Sequence, residues 1–323
     1  MMITVLYGGE GPEREVSLRS GTAVVSALSE RGREVVAADL RRKEDLFSLG
    51  GEEGIGFAFI ALHGGWGEDG TLQAGLEMMG VPFSGSGHAA CALAMDKTAG
   101  KALFRWKGVA VPKGIEVSKE KSVRELSGDA RLSSLLERCG KLVVKPCCSG
   151  STVGVSILEG TDRLAEALED AFRYDPRVLV EEYIPGRELT VTVWEKDGIP
   201  SCLPVIEIQP VHGFYDYSAK YTPGASEYLV PAPLSEFVLR RVEKAALEAH
   251  NALGCTSYSR VDLRLDEDNF PVVLEVNTVP GMTATSLVPK AAAAAGISFG
   301  EFLEEVVESS VRRGKGGRLR ERQ

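Results

Sequence analysis

The C-terminal part of this 323-residue chain is organised by the stretch Ser259-Arg-Val-Asp-Leu-Arg-Leu-Asp-Glu-Asp-Asn-Phe-Pro-Val-Val-Leu-Glu-Val-Asn277. Two runs that alternate apolar and polar residues flank the turn-rich tetrapeptide 266–269, a pattern that predicts a β-hairpin. Pairing Leu265 with Phe270 keeps one face apolar, whereas a one-residue slip would put apolar residues on both faces. The predicted core face consists of Val261, Leu263, Leu265, Val272, Leu274 and Val276.

The opposite face of this hairpin gathers four polar residues: Arg260, Asp262, Glu275 and Asn277. The predicted register sets Arg260 opposite Glu275 and Asp262 opposite Val273. Two carboxylates and an amide oxygen are hard ligands suited to Mg²⁺, which leaves room for waters and nucleotide phosphates. A solvated strand face is the alternative interpretation of the same residues.

Composition limits the classes of function. A hydrophobic fraction of 44% and a charged fraction of 26% are typical of a soluble globular protein, and the length predicts about two or three domains. We find neither an apolar run of roughly 20 residues nor a signal-like N-terminus, so we expect no membrane partner and a cytoplasmic location. The net charge of −9 argues against a nucleic-acid partner. The tail 311–323 carries six basic residues and one acidic residue, and we predict that it is disordered.

The first third of the chain alternates strands and helices. The strands are predicted at Ile3–Tyr7, Val35–Ala38 and Phe57–Leu62, an order that implies a parallel sheet with ligands at the carboxyl ends of its strands. A smaller α+β unit follows, in which Lys145 ends a strand just before the glycine-containing loop 147–154. Backbone N–H groups of this loop would be able to cradle phosphates, although an ordinary hairpin turn explains it equally well.

Taken in order, the strand with Lys145 and its glycine loop, a strand ending at Glu181-Glu182 and the hairpin resemble an ATP-grasp ligase. Longer motifs narrow the resemblance to the D-alanine–D-alanine ligase family. These motifs are Gly8-Gly9, Glu13-Arg-Glu-Val-Ser17, His63-Gly-Gly-Trp-Gly-Glu-Asp-Gly-Thr-Leu-Gln73, Gly85-Ser-Gly87, Met95-Asp-Lys97, Phe214-Tyr-Asp-Tyr-Ser-Ala-Lys-Tyr221 and Glu275-Val-Asn-Thr-Val-Pro-Gly-Met-Thr-Ala-Thr-Ser-Leu287. The resemblance covers the chain up to about residue 308 and leaves only the tail.

The resemblance implies an α/β and α+β architecture, with a Rossmann-like (pre-ATP-grasp) parallel-sheet domain followed by a two-lobed ATP-grasp fold. The implied parts are a substrate-binding domain 1–94, a central lobe 95–182, a C-terminal lobe 183–310 and the tail 311–323. The implied activity is ATP-dependent ligation of two D-alanine molecules through a D-alanyl phosphate, with release of ADP and phosphate, for peptidoglycan precursor synthesis. A homodimer is also implied.

The family also implies a set of nucleotide and metal ligands. The residues implied for ATP are Lys97, Lys145, Ser151 and Lys220 at the phosphates, and Glu181, Glu182, Tyr183, Ile184 and Glu188 at adenosine. Two Mg²⁺ or Mn²⁺ ions would bind, one to Asp262 and Glu275 and the second to Glu275 and Asn277. They would neutralise charge during phosphoryl transfer.

The implied substrate and catalytic residues are Glu15 for the first ammonium, linked to Ser151 and Tyr221; His63 for orientation; Arg260 and the Gly281 backbone for the oxyanion; and Ser286 with the Leu287 N–H for the second carboxylate. Ser286 would also serve as a plain N-cap of the following helix. Residues 209–226 are expected to close as a lid over the site.

Two alternatives stay open at this point. A D-alanine–D-lactate ligase would share the metal site, although Tyr221 favours the dipeptide enzyme. A non-catalytic ATP-grasp nucleotide sensor would be expected to lack a metal ligand or Arg260, and the sequence retains them all.

Overall fold

The computed structural model describes residues 1–49, 54–211 and 224–320, and for 314–320 it describes the backbone alone. The helices in these ranges are α1 Arg14–Glu30, α2 Asp45–Ser48, α3 Thr71–Met78, α4 His88–Met95, α5 Lys97–Trp106, α6 Val123–Ser127, α7 Ala130–Cys139, α8 Leu164–Ala171, α9 Glu236–Ala252, α10 Leu287–Ala294 and α11 Phe299–Arg320. Within the described ranges, we find no helix with the length and apolarity that a membrane span requires.

The strands are β1 Ile3–Gly8, β2 Val35–Leu40, β3 Phe57–Ile60, β4 Gly114–Ser118, β5 Leu142–Pro146, β6 Ser156–Leu158, β7 Arg177–Glu182, β8 Arg187–Lys196, β9 Ile199–Cys202, β10 Ile206–Pro210, β11 Ser226–Leu229, β12 Tyr258–Leu265 and β13 Pro271–Asn277. They form three sheets, one in each part of the chain.

The N-terminal sheet is parallel, in the order β2-β1-β3, which confirms the predicted β-α-β arrangement. One of its faces packs on α1 through Val24 and Leu28, in a core that also contains Phe302 of α11. The last helix of the chain therefore closes the core of the first domain. The carboxyl ends of β1 and β3 point towards the candidate site, as parallel sheets commonly arrange.

The central sheet is antiparallel, in the order β4-β7-β5-β6, and its core includes Val144, Val180, Leu132 and Leu168. The C-terminal sheet has the order β11-β10-β8-β12-β13, with β9 beside β8, and α9 covers it. The predicted domain boundaries fall at the end of α4 and at the end of β7. They stay predictions.

The hairpin β12–β13 forms as predicted, but its predicted register is wrong. Arg260 lies opposite Asn277 and Asp262 opposite Glu275, and the register shifts at a β-bulge just after Asp262. The bulge reverses the facing of residues 272–274 relative to the prediction, so that Val273 lies in the core while Leu274 lines a cavity. Three consecutive apolar residues, 272–274, make the alternation ambiguous, and this is why the sequence pattern did not locate the bulge.

The first part of the basic tail 311–323 continues the last helix. Helix α11 extends to Arg320, residues 321–323 lie outside the described residues, and the disorder of the tail stays a prediction. Arg312 forms an ion pair with Glu305 at 2.5 Å, and Arg313 donates a hydrogen bond to the Thr256 hydroxyl. These contacts attach the first turn of the predicted tail to the body of the protein.

Candidate functional site

Two adjacent cavities lie where the three parts of the chain meet. The larger, of about 340 Å³, lies between the N-terminal domain, the glycine loop and the C-terminal lobe. The smaller, of about 150 Å³, lies between the central and C-terminal lobes. Their common wall consists of Lys97, Ser149, Gly150 and Glu275. Ligands in the two cavities would therefore meet at a lysine and a carboxylate.

A buried ionic cluster forms the floor of the smaller cavity. Glu181, only 2% exposed, is the penultimate residue of β7, lies beside β5 and contacts two lysines. Lys145 binds its Oε1 and lines the cavity, whereas Lys101 of α5 binds its Oε2 from behind. The sequence predicted Lys145 and Glu181 as neighbours of ATP, but Lys101 was not predicted.

Two opposing effects, burial and pairing with opposite charges, determine the pKa values in this cluster. Burial alone would raise the pKa of Glu181, but the two lysines outweigh it and hold that pKa below its ordinary value. Burial likewise opposes the charge on Lys145, yet Glu181 and Glu275 keep its pKa above the ordinary value. For Lys101, burial dominates and lowers the pKa to about 7, although Glu181 acts in the opposite direction. The carboxylate is thus held ionised next to the cavity.

The strand edge predicted for adenine lines the smaller cavity through Glu182, Tyr183 and Ile184. Two of its amides are already used, because Glu182 N donates to Lys113 O at 2.9 Å and Tyr183 N donates to Lys141 O at 3.1 Å. A base along this edge would therefore meet carbonyl oxygens and the Ile184 amide before those two N–H groups.

Glu188, the residue predicted for the ribose, also lines this cavity. Arg264 pairs with it at 3.0 Å and donates to Ile184 O at 3.1 Å. The guanidinium lies 5.4 Å from the ring centre of Tyr183. Arg264 therefore holds the connection between the two lobes together, a role that the sequence did not indicate.

The polar face of the hairpin contributes the candidate metal ligands. Asp262 faces Glu275 directly across the two strands, and Asn277 lies one pleat further on. Arg260 donates to both oxygens of Asp262, at 2.9 and 2.7 Å, and Thr190 Oγ1 donates at 2.6 Å. Asp262 Oδ1 thus accepts two hydrogen bonds and Oδ2 accepts one. Carboxylate and amide oxygens are hard donors of the kind that a divalent cation prefers. The described residues hold no grouping of three or more His, Cys, Asp or Glu side chains that would compete for it.

Lys97 and the glycine loop lie beside these candidates. Lys97 Nζ donates to Ser149 O at 2.5 Å and lies 3.4 Å from Glu275 Oε2. Ser151 and Thr152 have φ values of +52° and +62°, a conformation that directs consecutive backbone N–H groups into a loop suited to anions. The structure thus brings Lys97, Lys145 and Ser151 together, as the sequence predicted.

The N-terminal contribution comes from Glu13 and not from Glu15. Glu13 immediately precedes α1, lines the larger cavity and accepts a hydrogen bond from Ser151 Oγ. Glu15 lies in the first turn of α1 with an exposed side chain and does not line either cavity. Gly64 makes room for the carboxylate, because a side chain there would collide with Glu13 Oε2. The structure therefore places Glu13, and not Glu15, beside Ser151 at the larger cavity.

His63 lines the larger cavity from below and is 5% exposed. Its Nε2 lies 2.8 Å from Ser20 Oγ, and its Nδ1 lies 3.0 Å from Val279 O and 3.4 Å from Glu68 Oε1. These contacts fix the orientation of the imidazole ring at the cavity.

The far wall of the larger cavity contains Gly281, Ser286 and Leu287, as the sequence predicted. Ser286 occupies the N-cap position of α10, but its side chain makes no capping bond. Its hydroxyl accepts from Thr283 N at 3.0 Å instead. A Cβ on Gly281 would lie 2.8 Å from Ser286 Oγ, so glycine is required for this close approach. The plain-cap interpretation of Ser286 does not hold for its side chain.

Two predicted residues, Lys220 and Tyr221, lie outside the described residues. Most of the predicted lid 209–226 does too, although β10 and β11 flank it. Three residues at the site were missed: Glu13, Lys101 and Arg264. Glu13 was visible inside the Glu13-Arg-Glu15 motif, but its spacing alone does not distinguish the two carboxylates.

Comparisons with known proteins point to one family. Two sequence models match: "D-ala D-ala ligase C-terminus" over residues 103–308 and "D-ala D-ala ligase N-terminus" over residues 45–86. A D-alanine–D-alanine ligase from Syntrophotalea carbinolica is 46% identical over 310 residues, which are 94% of this chain and 94% of that protein.

Solved structures give the same result. A crystal structure of D-alanine–D-alanine ligase from Bacillus anthracis is similar with a TM-score of 0.86 and 38% identity, over 98% of this chain and 99% of that one. A second structure of that ligase, complexed with ATP, has a TM-score of 0.83 at the same identity and coverage. The α/β ATP-grasp architecture predicted from the motifs is confirmed, and the chain belongs to the D-alanine–D-alanine ligase family.

Proposed function

We propose that this protein ligates two D-alanine molecules to D-alanyl-D-alanine and converts ATP to ADP and phosphate. One observation carries the proposal: a cavity suited to an amino acid and a cavity suited to a nucleotide share a wall made of Lys97 and Glu275. A γ-phosphoryl group at this wall would lie next to a carboxylate in the larger cavity. Proximity of this kind supplies much of the acceleration in phosphoryl transfer.

ATP would occupy the smaller cavity. Lys97 and Lys145 would bind its phosphates beneath residues 151–154, and Glu188 would bind the ribose. The adenine would lie along Glu181–Ile184, with its amino group on the Glu181 carboxylate. Lys220, which the sequence assigns to the transferred phosphoryl group, completes the proposal.

Asp262, Glu275 and Asn277 would hold two Mg²⁺ or Mn²⁺ ions. When bound, these ions supply positive charge that neutralises the phosphates. Arg260 orients Asp262 through its two hydrogen bonds. Lys97 pairs with Glu275 at the shared wall.

The larger cavity would bind both amino acids. Glu13 with Ser151 would bind the ammonium group of the first, in the place the sequence gave to Glu15, and Tyr221 would extend this link. The carboxylate oxygen attacks the γ-phosphorus and releases ADP, which leaves an acyl phosphate. The amine of the second D-alanine then attacks the acyl carbon, and phosphate departs with the former carboxylate oxygen.

Residues around the acyl carbon would stabilise this second step. Arg260 and the Gly281 N–H would stabilise the oxyanion, and His63 would help to orient the first substrate. The free N–H groups at the start of α10, at Leu287, would bind the second carboxylate together with Ser286.

Three wider properties belong to the same proposal: a homodimer, a cytoplasmic location and a role in peptidoglycan precursor synthesis. A D-alanine–D-lactate ligase and a non-catalytic nucleotide sensor are the competing functions. The retained metal candidates and Arg260 favour an enzyme, and Tyr221 favours the dipeptide product.

The deciding experiment measures phosphate release from ATP and identifies the product by mass. We expect release that depends on D-alanine, with D-alanyl-D-alanine as the product, and no release with L-alanine. D-lactate as the preferred second substrate would establish the depsipeptide alternative. ATP binding without D-alanine-dependent release would establish the sensor.

A further inference from the structure

Lys101 is a buried charge that the proposed chemistry does not use. Its side chain on α5 is 1% exposed and contacts Glu181 Oε2. It lines neither cavity, unlike Lys145, which holds the other oxygen of the same carboxylate. Lys101 can therefore act on a ligand only through Glu181.

A bound nucleotide would affect Lys145 and Lys101 differently. Lys145 lines the smaller cavity, so phosphates there would compete with Glu181 for its ammonium group. Lys101 faces the opposite way, and no phosphate can reach it. A carboxylate that is 2% exposed is costly to leave without a counterion, so loss of Lys145 to phosphate would leave Lys101 as the partner of Glu181.

We propose that Lys101 is a positioning residue for nucleobase recognition: it is the fixed counterion that keeps the Glu181 carboxylate charged and aimed at the exocyclic amino group of a 6-aminopurine. This inference rests on the proposed function for the presence and placement of the nucleotide. It adds a difference between the two lysines: phosphate can draw Lys145 away from Glu181 but cannot reach Lys101.

The test compares ATP with purine riboside 5′-triphosphate, which lacks only the exocyclic amino group. The ratio of their kcat/KM values isolates the hydrogen bond to Glu181. For the native chain we expect a preference for ATP on the order of tenfold or more, the size expected for one hydrogen bond to a charged group. Lys101→Met should reduce this ratio to within about twofold of unity, mainly through a higher KM for ATP.

Three further variants make the result specific. Glu181→Leu removes the acceptor and defines the ratio without a carboxylate. Adding Lys101→Met to Glu181→Leu should leave that ratio unchanged, because the lysine then has nothing to position. Lys119→Met, which removes a lysine of the same lobe that bonds Phe172 O at 3.3 Å, should keep the native ratio. A thermal melt of each variant reports its folding.

The outcomes separate the two proposals. If Glu181→Leu abolishes the preference for ATP while Lys101→Met keeps it, the inference about Lys101 is overturned and the proposed function stands. A native ratio near unity with intact D-alanine-dependent turnover would also overturn it. Lys101→Gln keeps a donor of similar length and serves if the methionine variant does not fold. Failure of both to fold would assign Lys101 a purely structural role.

Discussion

The two cavities differ in how many parts of the chain build them. The smaller cavity is formed mainly by strands of two neighbouring lobes and by the glycine loop, which lines both cavities. The larger cavity also includes the start of α1 and the start of α10. Strand ends can be located from local patterns in the sequence. Contacts between distant loops cannot, and at one of them the structure places Glu13, not the predicted Glu15, beside Ser151. The predictions below test this difference.

The largest effect is expected at the wall that both cavities share. Glu275→Gln removes a charge from the proposed metal site and from the neighbourhood of Lys97. We expect kcat to fall on the order of a thousandfold, because a metal contributes several kcal/mol of transition-state stabilisation. Phosphate release measures turnover, and a thermal melt checks that the variant is folded.

Glu267→Gln is the matched control, since Glu267 lies in the exposed turn of the same hairpin. It should change neither turnover nor melting. Near-normal turnover in Glu275→Gln would remove the metal assignment.

The second test separates two carboxylates that are two residues apart. Glu13→Gln should lower kcat/KM for D-alanine on the order of tenfold to a hundredfold, because the charged partner of the ammonium group is lost. Glu15→Gln should stay within about twofold of the native value, since its side chain is exposed. Steady-state kinetics with varied D-alanine gives both numbers, and the reverse order would restore Glu15 to the site.

Individual residues show how much of the site could be predicted from the sequence. Lys145 and Glu181 were predicted at the ends of buried strands and Asp262 on the polar face of an alternating strand, and the family resemblance supplied their roles. The bulge next to Leu274 was not predicted, because a run of three apolar residues fits either face. Lys101 was missed because a lysine on a helix is usually solvated, and only the fold shows that this one is buried against Glu181.

The third test examines that bulge. Val273→Ala should lower stability by about 2 kcal/mol, because the side chain is fully buried in the core. Leu274→Ala should cost less than about 1 kcal/mol but raise the KM for ATP several-fold, because Leu274 lines the smaller cavity. Thermal melts and ATP titrations of the two variants suffice. Equal losses of stability with an unchanged KM would support the unbulged register.

The smallest effect is expected at the base of α1. Arg14 binds Asp39 through two hydrogen bonds of 2.8 and 2.7 Å, and this pairing holds the pKa of Asp39 below its ordinary value. A carboxylate with a lowered folded pKa stabilises the fold above its unfolded pKa, and this contribution disappears as pH falls through the folded value. Asp39→Asn should therefore cost under about 1 kcal/mol at pH 7 and progressively less below about pH 4.

Melting curves between pH 3 and pH 7 would measure this, with Asp162→Asn as an exposed control. A difference between Asp39→Asn and the native chain that does not shrink in acid would contradict the pairing.

The central claim is that the first D-alanine carboxylate meets the γ-phosphoryl group at the shared wall. Ligation with D-alanine labelled by ¹⁸O in its carboxylate tests it most directly, with the released phosphate analysed by mass. The account predicts one ¹⁸O atom in phosphate for each dipeptide formed, because the acyl phosphate loses the former carboxylate oxygen. Unlabelled phosphate accompanying dipeptide formation would contradict it.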